Sequence, residues 1–392
     1  MERVDCVIAG CGPAGAVLGL LLARAGLRVT VVEKHGDFLR DFRGDTIHAS
    51  TLTLLDELGV GDEFARLDQQ RITEVRMAAG DREWLLADLR RIPGRHREIA
   101  LMPQWDFLDF VTRHAVGYPG FRLLMETEAT GLLVERGLVT GLTVAGGVVP
   151  ATLTVAADGR RSAVRQAARL PVRAYDAPMD VLWFRLSRRG SDVASTGGRV
   201  APGRVLIRLD RGDYWQVGYV IDKGGYDRLR AAGLDAFRTD LATLEPALAD
   251  RVDELSSWTD VSVLEVKVDR LRRWHRPGLL CIGDAAHAMS PVGGVGINLA
   301  VQDAVATANL LVRPLRTGTL SERDLARLQR RRAVPTAVTQ AGQRSIHRRI
   351  VAPLLDGDAA PAPVRLLQRF PALQAIPAYL LAIGIRPERV RS

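Results

Sequence analysis

The sequence has few lysines and cysteines. Only three of its 54 basic residues are lysines, which leaves 51 arginines spread along the whole chain. This scatter argues against a nucleic-acid-binding patch, although the formal net charge is +9. The three cysteines, Cys6, Cys11 and Cys281, show no CxxC or metal-ligand spacing. We therefore expect reduced thiols and no metal site.

The sequence also lacks an apolar run of membrane-spanning length, and no signal-peptide pattern follows Met1. The apolar stretch Ala372–Ile385 is short and contains a proline, so we expect it to pack against the body of the protein. These observations predict a cytoplasmic protein with no membrane span. Its 392 residues, 47% of them hydrophobic, are enough for a large core and at least two domains.

The chain opens with the pattern of a parallel α/β fold. Val4–Ala9 reads as a buried strand, 14–25 as a helix and 28–32 as a second strand. Strand-like alternation dominates later, at 72–101 and again at 181–268. The two returns to a β-rich pattern predict a Rossmann-type domain interleaved with a mostly antiparallel sheet.

The first motif lies between the first strand and the first helix and runs Gly10-Cys11-Gly12-Pro13-Ala14-Gly15. Glycines there permit a tight turn, a close approach of a pyrophosphate to backbone, and close helix–strand packing. The helix N-terminus supplies N–H donors for phosphates. Glu33 ends the second strand, where a carboxylate accepts hydrogen bonds from a ribose, and Lys34 beside it is a further candidate contact. The motif alone fits both FAD and NAD.

Two further motifs follow predicted strands. Asp158-Gly159 is followed by two arginines, which fits a ligand-binding turn or an ordinary solvated turn equally well. A later segment runs Gly283-Asp284-Ala285-Ala286-His287, then Pro291, Gly293-Gly294 and Gly296-Ile297-Asn298. Its small residues let a flat ligand approach backbone, and the helix that starts near Ile297 would direct its positive end at that ligand. His287 is either a ligand or base, or, as we favour, a structural hydrogen-bonding residue.

In order and separation, these three motifs resemble those of the FAD-dependent aromatic hydroxylases typified by para-hydroxybenzoate hydroxylase, over roughly residues 1–315. The family's cofactor contacts fall here on Glu33, Arg43, Gln104, Asp158, Asp284, Gly296, Ile297 and Asn298. The resemblance implies that Glu33 binds the adenosine ribose, Asp284 the ribityl chain, and residues 297–298 the pyrimidine side of the flavin. It associates Asp158 with both FAD and the nicotinamide nucleotide, and places Pro291 beside the substrate.

The resemblance and the pattern together predict a division into domains. The FAD-binding domain would take residues 1–71, 102–176 and 269–318. The substrate domain would take 72–101 and 177–268, and a helical C-terminal region 319–392.

The substrate side is less determined. The family's substrate-fixing Tyr and Arg have no match here. Aromatic and charged residues on two predicted strands, Trp183, Arg185, Trp215 and Tyr219, line either a flat pocket or an aromatic core. Alternation puts Trp183 and Arg185 on one face of their strand, and Trp215 and Tyr219 on one face of theirs. His48 and Pro291 are weak catalytic candidates, and a packed or solvated role explains His48 equally well.

The implied activity is that of a monooxygenase with non-covalent FAD. NAD(P)H reduces the flavin, O₂ adds at the flavin C4a carbon as a hydroperoxide, and one oxygen passes to an aromatic or polycyclic small molecule. The expected partners are that substrate, O₂ and NAD(P)H, with the protein a monomer or homodimer. A reductase of polyprenyl or other unsaturated substrates is the main alternative. A halogenase is disfavoured because Trp-x-Trp-x-Ile-Pro is absent, and a regulatory protein with a vestigial pocket is disfavoured because all three motifs are intact.

Overall fold

The computed structural model describes residues 2–39, 46–80, 82–192, 196–357 and 361–391. The elements up to residue 156 are, in chain order, β1 (Val4–Ala9), α1 (Pro13–Arg24), β2 (Val29–Val32), β3 (Thr46–Ile47), α2 (Ala49–Glu57), α3 (Gly61–Phe64), β4 (Gln70–Ile72), β5 (Glu74–Ala79), β6 (Arg82–Asp88), β7 (Ile99–Leu101), α4 (Gln104–Val116), β8 (Phe121–Leu124), β9 (Ala129–Glu135), β10 (Leu138–Val144) and β11 (Gly147–Ala156). The predicted strand–helix–strand start is confirmed to within a residue or two.

The remaining elements are α5 (Ala163–Ala167), β12 (Val172–Tyr175), β13 (Met179–Ser187), β14 (Gly197–Ala201), β15 (Arg204–Asp210), β16 (Tyr214–Asp222), α6 (Tyr226–Ala232), α7 (Leu234–Leu244), β17 (Ser262–Leu264), β18 (Val268–Leu271), β19 (His275–Arg276), β20 (Leu279–Cys281), α8 (Val295–Arg316), α9 (Glu322–Ile346), α10 (Ala352–Leu355), α11 (Ala362–Arg369) and α12 (Ala375–Ala382). Short 3₁₀ turns follow β6, α7 and β20, and a π-helical turn, His347–Val351, follows α9.

The first sheet has β20, β11, β1, β2 and β8 side by side, and all four of these pairings are parallel. Val, Ile, Leu and Ala fill these strands because both faces are covered, one by helices and the other by β9, β10 and α5. α1 packs against α4 and α8. Parallel pairing brings the carboxyl ends of the strands to one edge, where ligands bind in open α/β sheets. The motif after β1, Glu33 after β2, Asp158 after β11 and Asp284 after β20 therefore share one edge.

The second sheet has seven strands in the order β17-β13-β16-β15-β14-β5-β6, and only the β14–β5 pairing is parallel. Its members come from two separate stretches of the chain, 74–88 and 179–264, so the predicted interleaved fold class is confirmed. The exact domain boundaries stay a prediction, which this sheet membership supports.

The two faces of the seven-stranded sheet have different covers. On one face, Phe184, Trp215 and Val217 form a core with Phe237 of α7. On the other, Trp183 and other strand residues pack with Leu354 of α10, Val364 of α11 and Val292. The C-terminal helices thus cover one face of this sheet. α12 is fixed beside β6 and β7 through Ala378 and Ala382, as the prediction for the apolar C-terminal stretch required.

One described helical stretch, Val292–Arg316, has the length and apolar composition to cross a membrane. However, 78% of its apolar window is buried inside the protein. It packs along α1 and α9, as the core helix of an α/β domain does.

Candidate active site

The turn between β1 and α1 has room for a ligand at one glycine and none at the other two. Gly10 has φ +91°, and a Cβ there would lie 2.6 Å from the Ala157 carbonyl oxygen. A Cβ on Gly15 would lie 1.9 Å from the Gly10 carbonyl oxygen. By contrast, a Cβ built on Gly12 would have no described atom within 4 Å apart from its own residue, its chain neighbours and the helix backbone, and no described side chain caps α1. The start of α1 therefore combines space beside Gly12 with uncapped N–H groups, as a phosphate site requires.

The Glu33 carboxylate closes this turn from the neighbouring strand. The side chain is buried, and its Oε2 accepts a hydrogen bond from the Cys11 N–H at 2.9 Å. Its Oε1 accepts one from the His35 N–H at 3.2 Å. Each carboxylate oxygen has capacity for a second donor, so this geometry fits a ribose hydroxyl as well. Lys34, the next residue, is exposed.

The second and third motifs meet directly. β11 and β20 pair in parallel, with Ala156 opposite Cys281, so the turns that follow them are neighbours. Arg160 Nε lies 2.9 Å from an Asp284 carboxylate oxygen, and Arg160 Nη2 donates to the Met289 carbonyl at 3.2 Å. Arg160 is thus no ordinary solvated charge: it ties the Asp-Gly turn to the Gly-Asp turn. Nothing in the local sequence signals this pair, because the residues are 124 positions apart.

Asp158 has one engaged and one unengaged carboxylate oxygen. Its Oδ2 accepts from the Val164 N–H at 3.2 Å, at the start of α5. Its Oδ1 is buried and has no hydrogen-bond partner among the described residues. Burial raises the pKa of this carboxyl, although Ser162 and the N–H groups of α5 lower it. A buried acceptor without a partner is unfavourable unless a ligand supplies a donor.

The glycine loop, defined as Ser290–Gly294, leads into α8. Gly293 and Gly294 have φ of +80° and +63°, and a Cβ on Gly294 would lie 2.3 Å from Thr46 Oγ1. No described side chain caps α8, so its positive end is open to a ligand. The following Gly296 is half-buried, and Ile297 is buried.

Asn298 lies in the first turn of α8 and anchors that helix to α2. Its Oδ1 accepts from Ser50 Oγ at 2.6 Å and from Thr51 Oγ1 at 3.0 Å. The side chain is therefore oriented by protein contacts. This leaves the backbone of 296–298 as the part of the motif that can meet a ring.

His287 is structural, as the sequence favoured. It is buried, and its Nε2 donates to the Asp303 carboxylate at 2.6 Å. Arg332 Nε donates to the other oxygen of that carboxylate at 2.9 Å, and Arg332 also lies near Glu388. Burial alone would raise the pKa of Asp303, but the charges and hydrogen bonds of His287 and Arg332 outweigh it and lower the pKa. Sequence reasoning missed Asp303 and Arg332, because no local pattern joins these positions.

His48 is fully buried at the start of α2, and both ring nitrogens face protein atoms. Its Nδ1 lies 2.6 Å from the Leu381 carbonyl oxygen, which only accepts, so this nitrogen carries the proton. Its Nε2 lies 3.2 Å from Thr46 Oγ1. Burial lowers the pKa of His48 to about 4, so the ring is neutral near neutral pH. Of the two interpretations of His48, the packed one matches this geometry.

The four substrate candidates lie on opposite faces of the seven-stranded sheet. Trp215 and Tyr219 belong to the core under α7, where Tyr219 Oη donates to Asp240 at 2.5 Å. Trp183 is on the other face, and its ring lies flat against Gly218, where a Cβ would meet it at 2.9 Å. The structure therefore does not bring the four into one pocket: the aromatic-core interpretation fits one pair, and the pocket interpretation remains open for the other.

Arg185 lies on the face that carries Trp183. Its guanidinium is 4.6 Å from the Tyr214 ring centre and 5.9 Å from that of Trp105. Trp105 follows Gln104, the half-buried first residue of α4. Arg185 thus bridges the sheet and the helix that carries a predicted flavin contact. Pro291 is half-buried within the glycine loop, and Arg43 lies outside the described residues.

The residues present fit FAD. The free space at Gly12 suits a pyrophosphate, Glu33 a ribose, and the open start of α8 an electron-rich ring. The buried Asp158 oxygen and the Arg160–Asp284 pair lie at the same sheet edge, between these two ends. Such a spread of contacts suits a dinucleotide better than a mononucleotide.

Comparison with known proteins agrees with this site. Residues 3–342 match the model of a family described as FAD binding domain. The chain is 35% identical over 399 residues to a 6-methylpretetramide 4-monooxygenase of Streptomyces rimosus, covering 100% of this chain and 94% of that protein.

Solved structures share the fold. The OxyS anhydrotetracycline hydroxylase from Streptomyces rimosus has a TM-score of 0.78 at 22% identity, over 100% of this chain and 78% of that one. P. aeruginosa PqsL in complex with 2-aminobenzoylacetate has a TM-score of 0.76 at 23% identity, over 91% and 97%.

Proposed function

Because this chain belongs to the FAD binding domain family and is an FAD-dependent monooxygenase that uses NAD(P)H, we propose that it hydroxylates a polycyclic aromatic small molecule related to 6-methylpretetramide. The observation that carries the proposal is the 35% identity to the 6-methylpretetramide monooxygenase along the whole chain. The likeness extends through the C-terminal helices that cover one face of the substrate sheet.

We assign the cofactor contacts as follows. Glu33 binds the adenosine ribose, and the start of α1 at Gly12–Gly15, which includes Pro13 and Ala14, binds the pyrophosphate. Asp284, which pairs with Arg160, and Asp158 on the neighbouring turn hold the ribityl side. The backbone of Gly296–Asn298 meets the ring, with Gln104 as a further contact. When bound, FAD takes a hydride from NAD(P)H and activates O₂; the protein positions the ring, excludes water and stabilises negative charge.

The substrate pocket lies, in this proposal, between the glycine loop and the sheet face that carries Trp183 and Arg185. The Trp183 ring offers a flat apolar surface, and it can lie against the sheet because Gly218 has no side chain. The Arg185 guanidinium, flanked by Tyr214 and Trp105, would orient a phenolate or carbonyl oxygen. Pro291 would contact the substrate from the loop. Trp215 and Tyr219 stabilise the opposite face and are not part of this pocket.

The expected partners are this substrate, O₂ and NAD(P)H, and we propose a cytoplasmic monomer or homodimer. NAD(P)H is a cytoplasmic reductant, which supports that location. Size-exclusion chromatography with light scattering separates the two oligomeric states.

A substrate screen tests the proposal. The holoenzyme is mixed with NADH or NADPH and either 6-methylpretetramide, other fused-ring phenols, or single-ring phenols, while NAD(P)H and O₂ are followed together. We expect fused-ring phenols to accelerate NAD(P)H oxidation with matching O₂ consumption. Acceleration only by single-ring phenols would overturn the substrate class. Acceleration without O₂ uptake would instead favour a reductase.

A further inference from the structure

A buried histidine on the C-terminal side of the molecule contacts the glycine loop. His347 begins the π-helical turn after α9 and is 1% exposed. Its Nε2 lies 2.8 Å from Ser290 Oγ. The same hydroxyl oxygen accepts a hydrogen bond from the Val292 N–H at 3.2 Å. Ser290 therefore links His347 to the backbone of the loop on both sides of Pro291.

Gln343 provides a second contact between α9 and the glycine loop. It lies four residues before His347, so both side chains leave the helix on one face. Gln343 Nε2 donates to the carbonyl oxygens of Ser290 and Val292, each at 2.9 Å, and its Oε1 accepts from the Ser290 N–H at 3.2 Å. Gln343 contacts the loop backbone, whereas His347 is the side chain, among the described residues, that contacts the Ser290 hydroxyl. π-helical turns are rare and are frequently found at functional sites.

The other end of the loop is held as well. Thr46 Oγ1 donates to the Gly294 carbonyl oxygen at 3.1 Å, and a Cβ on Gly293 would lie 2.9 Å from Leu381 of α12. The loop has one backbone hydrogen bond of its own, from the Gly294 N–H to the Pro291 carbonyl at 2.9 Å, and two glycines with positive φ. Its position therefore depends on these few side-chain contacts.

We propose that His347 is a positioning residue for the reaction: acting through Ser290, it fixes the glycine loop, and with it the uncapped start of α8, against the flavin ring and the substrate. His347 itself touches neither. The inference rests on the proposed function for the placement of the ring beside this loop. Because α8 begins at Val295, directly after the loop, a shift of Ser290 alters the aim of the helix N-terminus at the ring.

The protonation of His347 agrees with this role. Burial lowers the pKa of His347, so the ring is neutral near neutral pH. Its Nδ1 is buried without a partner among the described residues. Ser290 Oγ and Nε2 are within hydrogen-bond distance in either neutral tautomer: Nε2 donates to the hydroxyl in one and accepts from it in the other. A glutamine amide can donate similarly, whereas leucine cannot.

Five variants test the proposal: His347→Leu, Ser290→Ala, their double variant, the conservative His347→Gln, and His275→Leu as a control that removes a buried histidine from β19. Each is purified with FAD. The visible circular dichroism of bound FAD, the FAD dissociation constant, and the rate of H₂O₂ formation at a fixed NAD(P)H concentration are measured without substrate. The product formed per NAD(P)H follows with substrate.

We expect His347→Leu and Ser290→Ala to change the flavin dichroism and to raise H₂O₂ formation about two- to tenfold, the effect of one neutral hydrogen bond. The FAD dissociation constant should change less than about twofold, because the pyrophosphate and ribose contacts are elsewhere. The double variant should be no worse than either single one, and His347→Gln should retain wild-type behaviour.

A purely structural role gives another pattern. His347→Leu would then lower the melting temperature but leave the dichroism and H₂O₂ formation as in His275→Leu, or its effects would add to those of Ser290→Ala. Either result overturns the proposal. If His347→Leu does not fold, Ser290→Ala against wild type decides alone. The measurements without substrate do not depend on finding a substrate. A failure of the proposed function is therefore distinguishable from a failure of the proposal for His347.

Discussion

The nucleotide end and the ring end of the candidate site are built in different ways. At the nucleotide end, the turn after β1 and the carboxylate after β2 come from one continuous stretch, and Glu33 reaches Cys11 only 22 residues away. At the ring end, the contacts span most of the chain: Thr46 meets Gly294, His48 meets Leu381, and Ser290 meets His347. A local backbone shape makes the first end, and long-range side-chain contacts make the second. Substitutions should therefore act differently at the two ends.

The largest effect should come from the buried charges behind the ring end. Asp303→Asn leaves Arg332 buried without its main counter-charge, and it replaces one of the two oxygens that accept from His287 and Arg332 by an N–H donor. Breaking one partner of a buried pair lowers the free energy of unfolding by about 3–5 kcal/mol. Chemical denaturation measures this free energy of unfolding. Glu2→Gln, which removes one charge of an exposed ion pair with Arg28, is the control and should change it little. An equal, small effect of both would show that the buried network does not support the ring end.

The same carboxylate predicts a pH dependence. The pKa of Asp303 is lowered in the folded protein, because His287 and Arg332 outweigh burial. A lowered folded-state pKa contributes stability that is present above the unfolded-state pKa and is lost as the pH falls through the folded-state pKa. The wild type should therefore lose stability below the usual carboxylate range, and Asp303→Asn should lose less over the same interval. Parallel pH profiles of the melting temperature for the two proteins would contradict this.

At the nucleotide end, substitution of Gly12 and of Gly15 should affect the stability of the apoprotein differently. Gly15→Ala places a methyl 1.9 Å from the Gly10 carbonyl oxygen, so the backbone must move. We expect a loss of about 1–3 kcal/mol in stability, together with weaker FAD binding. Gly12→Ala meets no described protein atom within 4 Å, so the apoprotein should stay as stable as wild type while FAD binding weakens. Melting curves with and without FAD test both, and a destabilised Gly12→Ala apoprotein would contradict the assignment of that space to a phosphate.

Glu33→Gln tests the ribose contact. Loss of a charged hydrogen bond at a buried position weakens binding by about 1.5–3 kcal/mol, about ten- to a hundredfold in the FAD dissociation constant. Fluorescence titration of the apoprotein with FAD measures this. Asp62→Asn, which removes an exposed carboxylate from α3, is the control and should have a much smaller effect. A dissociation constant that is unchanged in Glu33→Gln would remove this residue from the site.

The smallest effects should separate the two faces of the substrate sheet. Trp215→Phe loses the hydrogen bond from its Nε1 to Asp192 at 3.0 Å and should cost about 1 kcal/mol in stability with KM unchanged. Trp183→Phe should leave stability near wild type and raise the KM for the aromatic substrate severalfold. A raised KM in Trp215→Phe together with an unchanged KM in Trp183→Phe would instead place the pocket on the α7 side of the sheet.

The sequence predicted the nucleotide end well because its signals are local. The bounds of β1, α1 and β2 were predicted to within a residue or two, and Glu33 lies at the end of β2 as predicted. The alternation along β13 and β16 was also correct: Phe184 packs with Trp215 and Tyr219, away from Trp183. The sequence could not predict which face of these strands lies toward the cofactor, because alternation assigns residues to two faces without showing what covers either face.

The ring end was largely unpredictable for a related reason. The Arg160–Asp284 pair depends on β11 lying beside β20, and the Ser290–His347 contact on how α9 returns to the glycine loop. No short-range pattern records either fact. The C-terminal region was predicted as helical, with its apolar stretch packed against the body, but its role as a cover of the substrate sheet appears only in three dimensions.

The transfer of oxygen from O₂ to the substrate is the central claim, and isotopic labelling tests it most directly. The FAD-loaded enzyme, NADPH and the best fused-ring phenol from the screen are incubated under labelled O₂, and the product is analysed by mass spectrometry. The account predicts one labelled oxygen atom in the product for each NADPH used productively. A product that carries no labelled oxygen would contradict it.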